Sequence, residues 1–179
     1  MWCTIPYTQS DPSLPVPRTR KWLRLAMELL LLLGVLYGVR AYQHAGIAAG
    51  TTPPLQGTLI DGRPVALSKM YQRPVLVHFW ATWCAVCAAE QQNIAAIAKD
   101  YPVITVAMRS GAKGNVTRYL RKHKLALPVL NDPDGGRAAQ WGVEAVPASF
   151  VVQGGRIRFA EVGYTTEAGL RVRLWLARH

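Results

Sequence analysis

The chain has little of the chemistry that marks metal stores. Among its 179 residues are only 3 Cys, 4 His and 4 Met. The histidines (His44, His78, His123 and His179) are scattered, and no Met-rich or His-rich cluster accompanies the cysteines. Cys84 and Cys87 supply two ligands where a structural zinc site needs four, and the remaining cysteine, Cys3, sits far away near the N-terminus. Charged residues make up only 17% and hydrophobic ones 50%, a balance that excludes wholesale disorder. There is no internal repeat and no second apolar core, so one domain with appendages is expected. Neither an aromatic stacking platform nor a helix-turn-helix pattern accompanies the basic residues, which argues against nucleic acid as a partner.

What charge there is has one dominant sign. The 21 Lys+Arg against 10 Asp+Glu give +11, and the part from residue 51 onward is itself basic. Such a field favours an anionic membrane surface or acidic partners. The densest run, Arg118, Arg121, Lys122 and Lys124, reads as the solvated face of a short helix.

Residues 1–17 are polar and interrupted by Pro6, Pro12, Pro15 and Pro17, as in a flexible tail. Arg18, Arg20, Lys21 and Arg24 then introduce an apolar run whose only charge between Leu25 and Val39 is Glu28. Trp22 to Tyr42 is close to the ~20 residues that cross a bilayer core as a helix. The basic excess before the run, with Arg40 after it, sets residues 1–21 in the cytoplasm by the positive-inside rule. The expected plan is a cytoplasmic tail (1–21), a transmembrane anchor (22–42), a linker (43–54) and an extracytoplasmic domain (55–179). A cleavable signal peptide shares this layout, with Gly46-Ile47-Ala48 or Ile47-Ala48-Ala49 as cleavage site. A buried helix is the third alternative.

Within the domain, strands are expected at Gly57–Ile60 and Val65–Leu67 around the turn Asp61-Gly62, and at Val75–Trp80, behind Pro74. After Cys84 the spacing becomes helical, with Cys87, Gln91, Ile94 and Ala98 on one face. There follow a strand Val103–Met108, a helix Val116–His123, a strand Pro128–Leu130 and a turn Asn131–Gly136. Strands Ser149–Gln153 and Ile157–Val162 flank the Gly154-Gly155 turn. A last helix is expected from Thr166 with Thr165 as cap, although its Arg-Val-Arg-Leu stretch also fits strand alternation. Strands alternating with helices and ending in a hairpin describe an α/β domain with a mixed sheet.

Cys84-Ala85-Val86-Cys87 stands between a buried strand and a helix. A thiolate at a helix N-terminus faces unpaired N–H groups and the positive end of the helix dipole, which lower its pKa. Cys84, at the tip and exposed, is therefore expected to be the attacking thiolate. Cys87, one turn in and more buried, would resolve a mixed disulfide. An inert disulfide or a metal clip is the structural alternative.

The segment VLVHFWATWCAVC, Val75 to Cys87, resembles the thioredoxin active-site strand and motif. The likeness continues through Glu144-Ala145-Val146-Pro147-Ala148-Ser149-Phe150 and the hairpin after it. The membrane anchor and the added segment between Arg109 and Asp134 are similar to the TlpA/ResA-like branch of membrane-tethered bacterial thioredoxins. The lead-in His78 to Trp83 most resembles the suppressor-of-copper-sensitivity type.

That resemblance implies a thioredoxin-like fold, a central mixed β-sheet flanked by helices, and protein-disulfide oxidoreductase activity without a dissociable cofactor or metal. It implies a cis bond before Pro147 and a partner's extended chain pairing at the Val146-Pro147 edge, with Trp83 as an apolar wall. Glu90 resembles the glutamate kept near the buried cysteine, where a raised pKa would let it take the proton of Cys87. His78 stands where thioredoxin proper has a buried aspartate, as a proton relay or a satisfied core side chain.

The implied partners are protein thiols or disulfides and a membrane electron-transfer protein that re-reduces the pair, in a bacterial inner membrane with the domain in the periplasm. The roles in view are thiol homeostasis, cytochrome c maturation and copper tolerance. Between the cysteines the chain has Ala85 and Val86 rather than the family's frequent proline, which leaves the direction of electron flow open. A disulfide-forming oxidant and a Cu(I)-binding module using the same two thiols are the alternatives.

Overall fold

The computed structural model describes residues 18–44 and 48–179. Cys3, residues 1–17 of the tail, and Gly46 and Ile47 of the candidate cleavage sites lie outside them.

The first unit is a helix, α1 (Arg18–His44), whose apolar window Trp22–Val39 has a mean hydropathy of 1.8 and is unburied throughout. It is long and apolar enough to cross a membrane, a property that a signal sequence shares.

The second unit is a six-stranded sheet with its own helices. Its strands are β1 (Gly50–Thr51), β4 (Val75–Trp80), β5 (Val103–Met108), β6 (Val129–Asp132), β7 (Ala148–Gln153) and β8 (Arg156–Val162). A separate hairpin pairs β2 (Gln56–Thr58) with β3 (Pro64–Ala66). The order across the sheet is β1-β8-β7-β4-β5-β6, with β4, β5 and β6 parallel and β7 antiparallel to both its neighbours. β4 lies near the middle, so Val-Leu-Val-His-Phe-Trp is buried at every position and reads as a continuous apolar run rather than an alternating one.

Alternation along the strands divides the interior in two. Leu76, Trp80, Val129 and Val151 face α2 (Ala85–Ile97), α3 (Lys113–Lys122) and α5 (Glu167–Arg178), which contribute Cys87, Ile94, Leu120, Leu170 and Leu174. Val77, Phe79, Ile104 and Phe150 face the β2–β3 hairpin and α4 (Gly136–Gln140). Trp141 there packs against Phe79 and Phe150 at ring-centroid distances of 5.6 and 5.0 Å. The fold is thioredoxin-like, as the resemblance implies.

The departures from expectation are local. α4 falls just after the expected turn, because the Asp132 carboxylate accepts the Arg137 and Ala138 N–H groups, both at 3.0 Å, and organises a first turn that begins with glycine. α3 starts at Lys113, three residues early, through Lys-Gly-Asn, which local propensity does not favour. The last helix is capped by Thr166, whose hydroxyl accepts the Gly169 N–H, and not by Thr165. β1 lies inside the segment expected to be linker, where Gly50 and Thr51 pair with Ile157 and Arg156. Both glycines of the Gly154-Gly155 turn have positive φ, +59° and +74°, which a two-residue hairpin of this twist requires.

Candidate active site

β4 ends at Trp80 and delivers the chain to the first turn of α2. The Thr82 N–H donates to the Ser110 hydroxyl at 3.0 Å and the Cys84 N–H to the Ala81 carbonyl at 3.2 Å, fixing the approach. Cys84 is the N-cap, in extended conformation, and its Sγ accepts the Cys87 N–H at 3.0 Å. A sulfur placed there sits on the unpaired donors of a helix start, the surroundings that stabilise a thiolate. Cys84 and Cys87 are joined as a disulfide with Cα atoms 5.2 Å apart.

Cys84 is less open than its position at the helix tip leads one to expect. It is 8% exposed, because its sulfur is bonded to Cys87 and rests against Val146, whose carbonyl oxygen is 3.6 Å from Sγ. Cys87 is fully buried, so the difference between the two runs in the expected direction. The Val146-Pro147 peptide is cis, and the Pro147 carbonyl accepts the Gly163 N–H at 2.8 Å. Trp83 projects into solvent, 62% exposed, with its indole N–H donating to the Arg109 carbonyl at 3.0 Å. Cys84 thus lies between Val146, against its sulfur, and its exposed chain neighbour Trp83, with Cys87 buried behind it.

Glu90 is buried on the same face of α2 as Cys87, three residues on. One carboxylate oxygen accepts the Thr165 N–H at 3.2 Å and the other has no partner. Burial pushes its pKa up to about 7, opposed in part by the Thr165 hydrogen bond. The loop carrying Thr165 is held by Asn93, whose amide donates to the Tyr164 hydroxyl at 3.1 Å and the Thr165 carbonyl at 3.3 Å. The neighbouring Gln91 accepts the Tyr119 hydroxyl at 3.1 Å. His78 is buried, with Nδ1 2.9 Å from the Ser149 hydroxyl and Nε2 unpartnered, and burial alone lowers its pKa to about 3, leaving it neutral.

Of the residues expected from the sequence, the structure joins Cys84 to Cys87, sets Val146 against the Cys84 sulfur, leaves Trp83 exposed beside it and buries Glu90 one turn beyond Cys87. Sequence reasoning missed Ser110, Ser149 and the Asn93–Thr165 strap, which meet the site only through long-range packing. Among the described residues no group of three or more His, Cys, Asp or Glu could hold a metal ion.

Residues 50–160 match the AhpC/TSA family model. The chain belongs to the AhpC/TSA family. A thioredoxin-like protein of Haemophilus influenzae is 34% identical over 120 residues, covering 66% of this chain and 72% of that one. A homolog of the thiol:disulfide interchange protein DsbE from Paracoccus denitrificans is 31% identical, covering 62% and 64% of the two chains. The crystal structure of a thiol:disulfide interchange protein from Chlorobium tepidum superposes with a TM-score of 0.64 at 21% identity, covering 74% of this chain and 98% of that one, and shows the shared fold. This AhpC/TSA chain is a thioredoxin-like thiol-disulfide oxidoreductase, with the Cys84–Cys87 disulfide in its CxxC segment.

Proposed function

We propose that the protein is a membrane-anchored, extracytoplasmic reductant of protein disulfides, with Cys84 as nucleophile and Cys87 as resolving thiol. The observation that carries this reading is the Cys84–Cys87 disulfide at the start of α2, with Cys84 Sγ beside the Val146 carbonyl. In the reduced form the Cys84 thiolate attacks one sulfur of a substrate disulfide. The other substrate sulfur leaves as a thiolate, and a mixed disulfide joins the two chains. Glu90, as carboxylate, takes the proton of Cys87. The new thiolate attacks Cys84 Sγ, forms the intramolecular disulfide and releases the second substrate thiol. Two electrons have passed from the dithiol to the substrate, and a membrane electron-transfer partner must return them.

The Val146-Pro147 edge receives an extended substrate segment and Trp83 gives it an apolar wall. α1 supplies the anchor, with Trp22 to Tyr42 in the bilayer and the domain on the side away from Arg18, Arg20 and Lys21. Residues 43–54 connect the two, including β1 at the domain's edge. Haem-attachment thiols of c-type cytochromes or the cysteines of a copper-tolerance protein are substrates of the right chemistry for this compartment.

Trapping tests the assignment. Cys87→Ala should accumulate mixed disulfides through Cys84 that thiol reagents release, and Cys84→Ala should accumulate none. Equal trapping by both variants, or by neither, would overturn the roles.

A further inference from the structure

Helix α5 carries two apolar stripes where packing on a sheet needs one. Leu170, Leu174 and Ala177 turn inward and are buried. Ala168, Val172, Trp175 and Leu176, spaced at i, i+4, i+7 and i+8, turn outward. Val172, Trp175 and Leu176 are 57%, 56% and 45% exposed. Phe159 of β8 lines an open groove with Val172 and Leu176, extending the apolar surface onto the sheet.

The charges around this surface are unequal in sign. Arg173 holds Glu161 at 2.7 Å, and Arg171 holds Glu167 at 2.7 Å and Asp100 at 2.8 Å, so the nearby carboxylates are neutralised. Arg156, Arg158 and Arg178 are exposed and make no ion pair among the described residues. Arg178 follows Trp175 by three residues on the same side of α5. Arg156 alternates with Ile157, which packs into the opposite half of the core, and so lies on the α5 side of the sheet.

Two features choose among occupants. β1 pairs with β8 at Ile157 and Arg156, and the irregularity of β8 opposite Val151/Val152 and the exposed Arg158 blunt this edge against strand addition by a second copy. The chain also enters the domain along this edge, through the pairing of Gly50 and Thr51 with β8. A face that is apolar at its centre and basic at its rim, with an indole among its exposed groups, has the chemistry of a membrane interface.

We propose that the α5–β8 face, Val172, Trp175 and Leu176 with Arg156, Arg158 and Arg178, docks on anionic lipid headgroups. The indole and aliphatic side chains enter the headgroup layer and the guanidinium groups pair with lipid phosphates. A tethered domain needs only weak surface affinity, because the tether keeps the local lipid concentration high. In this respect the proposal rests on the anchor reading above.

The test uses the full chain in vesicles of phosphatidylcholine alone or mixed equally with phosphatidylglycerol, with brominated acyl chains as quencher. Subtracting the signal of Trp175→Phe isolates Trp175 from the other tryptophans. Its emission should fall at least about two-fold in the anionic vesicles and recover in about 0.5 M salt. It should also recover in the triple variant Arg156→Glu/Arg158→Glu/Arg178→Glu, whose thiol-disulfide exchange with a soluble substrate is expected to match the wild type and so reports an intact fold. Trp175 that stays unquenched and open to acrylamide in anionic vesicles overturns the proposal, as does equal quenching in the triple variant. Concentration-dependent shielding of Trp175 in detergent would assign the face to a second copy instead. Retention on the vesicles after an alkaline wash reads the anchor separately from the docking.

Discussion

Replacing Glu90 by glutamine keeps the size of the buried side chain and its acceptor for the Thr165 N–H while removing the ionisation. The wild-type carboxyl is moved from 4.5 to about 7 by burial. Between these values the folded chain holds a proton that the unfolded chain releases, so the wild type loses stability as pH rises through the window. The full cost, reached above about pH 7, is on the order of 3 kcal/mol. Glu90→Gln mimics the protonated acid. It should match the wild type near pH 4.5 and exceed it by up to about 3 kcal/mol near pH 8.5. Urea unfolding of the detergent-solubilised chain at the two pH values, with Cys84 and Cys87 oxidised so that neither titrates, measures the difference. Comparing variant with wild type at each pH cancels the contribution of every other group. A pH-independent difference would mean that Glu90 ionises as an ordinary exposed carboxylate, and the proton-accepting role assigned to it would fall with that result.

His78 produces the opposite slope. Its imidazole stays neutral to about 3 in the fold but is protonated below about 6.5 in the unfolded chain. Stability should therefore fall with pH below about 6.5, by up to about 1.4 kcal/mol per pH unit, and His78→Gln should flatten that dependence in acid unfolding. Trp83→Ala removes a mostly exposed ring and one hydrogen bond, so unfolding should change by only about 1 kcal/mol. The same variant should react more slowly with a protein disulfide, while oxidised glutathione, too small to use the wall, reacts at the wild-type rate in a stopped-flow comparison. Asp132→Ala leaves the Arg137 and Ala138 N–H groups without their acceptor at the start of α4 and should cost about 2–4 kcal/mol in thermal or urea unfolding.

The central strands were legible because their burial is written in consecutive residues. Val75–Trp80 and Val103–Met108 are apolar, largely β-branched or aromatic runs, and both strands have those bounds in the structure. The cysteine pair was legible for a similar reason, since a buried strand running into a helix places Cys84 at its tip whatever the rest of the chain does. α4 was not, because its first turn is organised by Asp132 from the end of β6 rather than by its own residues. The burial of Glu90 depends on the loop at Thr165, and the low exposure of Cys84 on Val146, contacts across 75 and 62 residues of sequence. The second apolar stripe of α5 is written plainly in the sequence, but the expected helix could not say which stripe the sheet would take.

The most direct test of the account is the redox equilibrium of the Cys84/Cys87 pair in the full chain, equilibrated against glutathione buffers and read by thiol alkylation, with Cys84→Ala as control. A single two-electron transition between roughly −270 and −120 mV is expected, nearer the thioredoxin end for a reductant. A pair that never cycles in these buffers would contradict the redox role itself, and a value at the oxidising end would turn the proposed electron flow around.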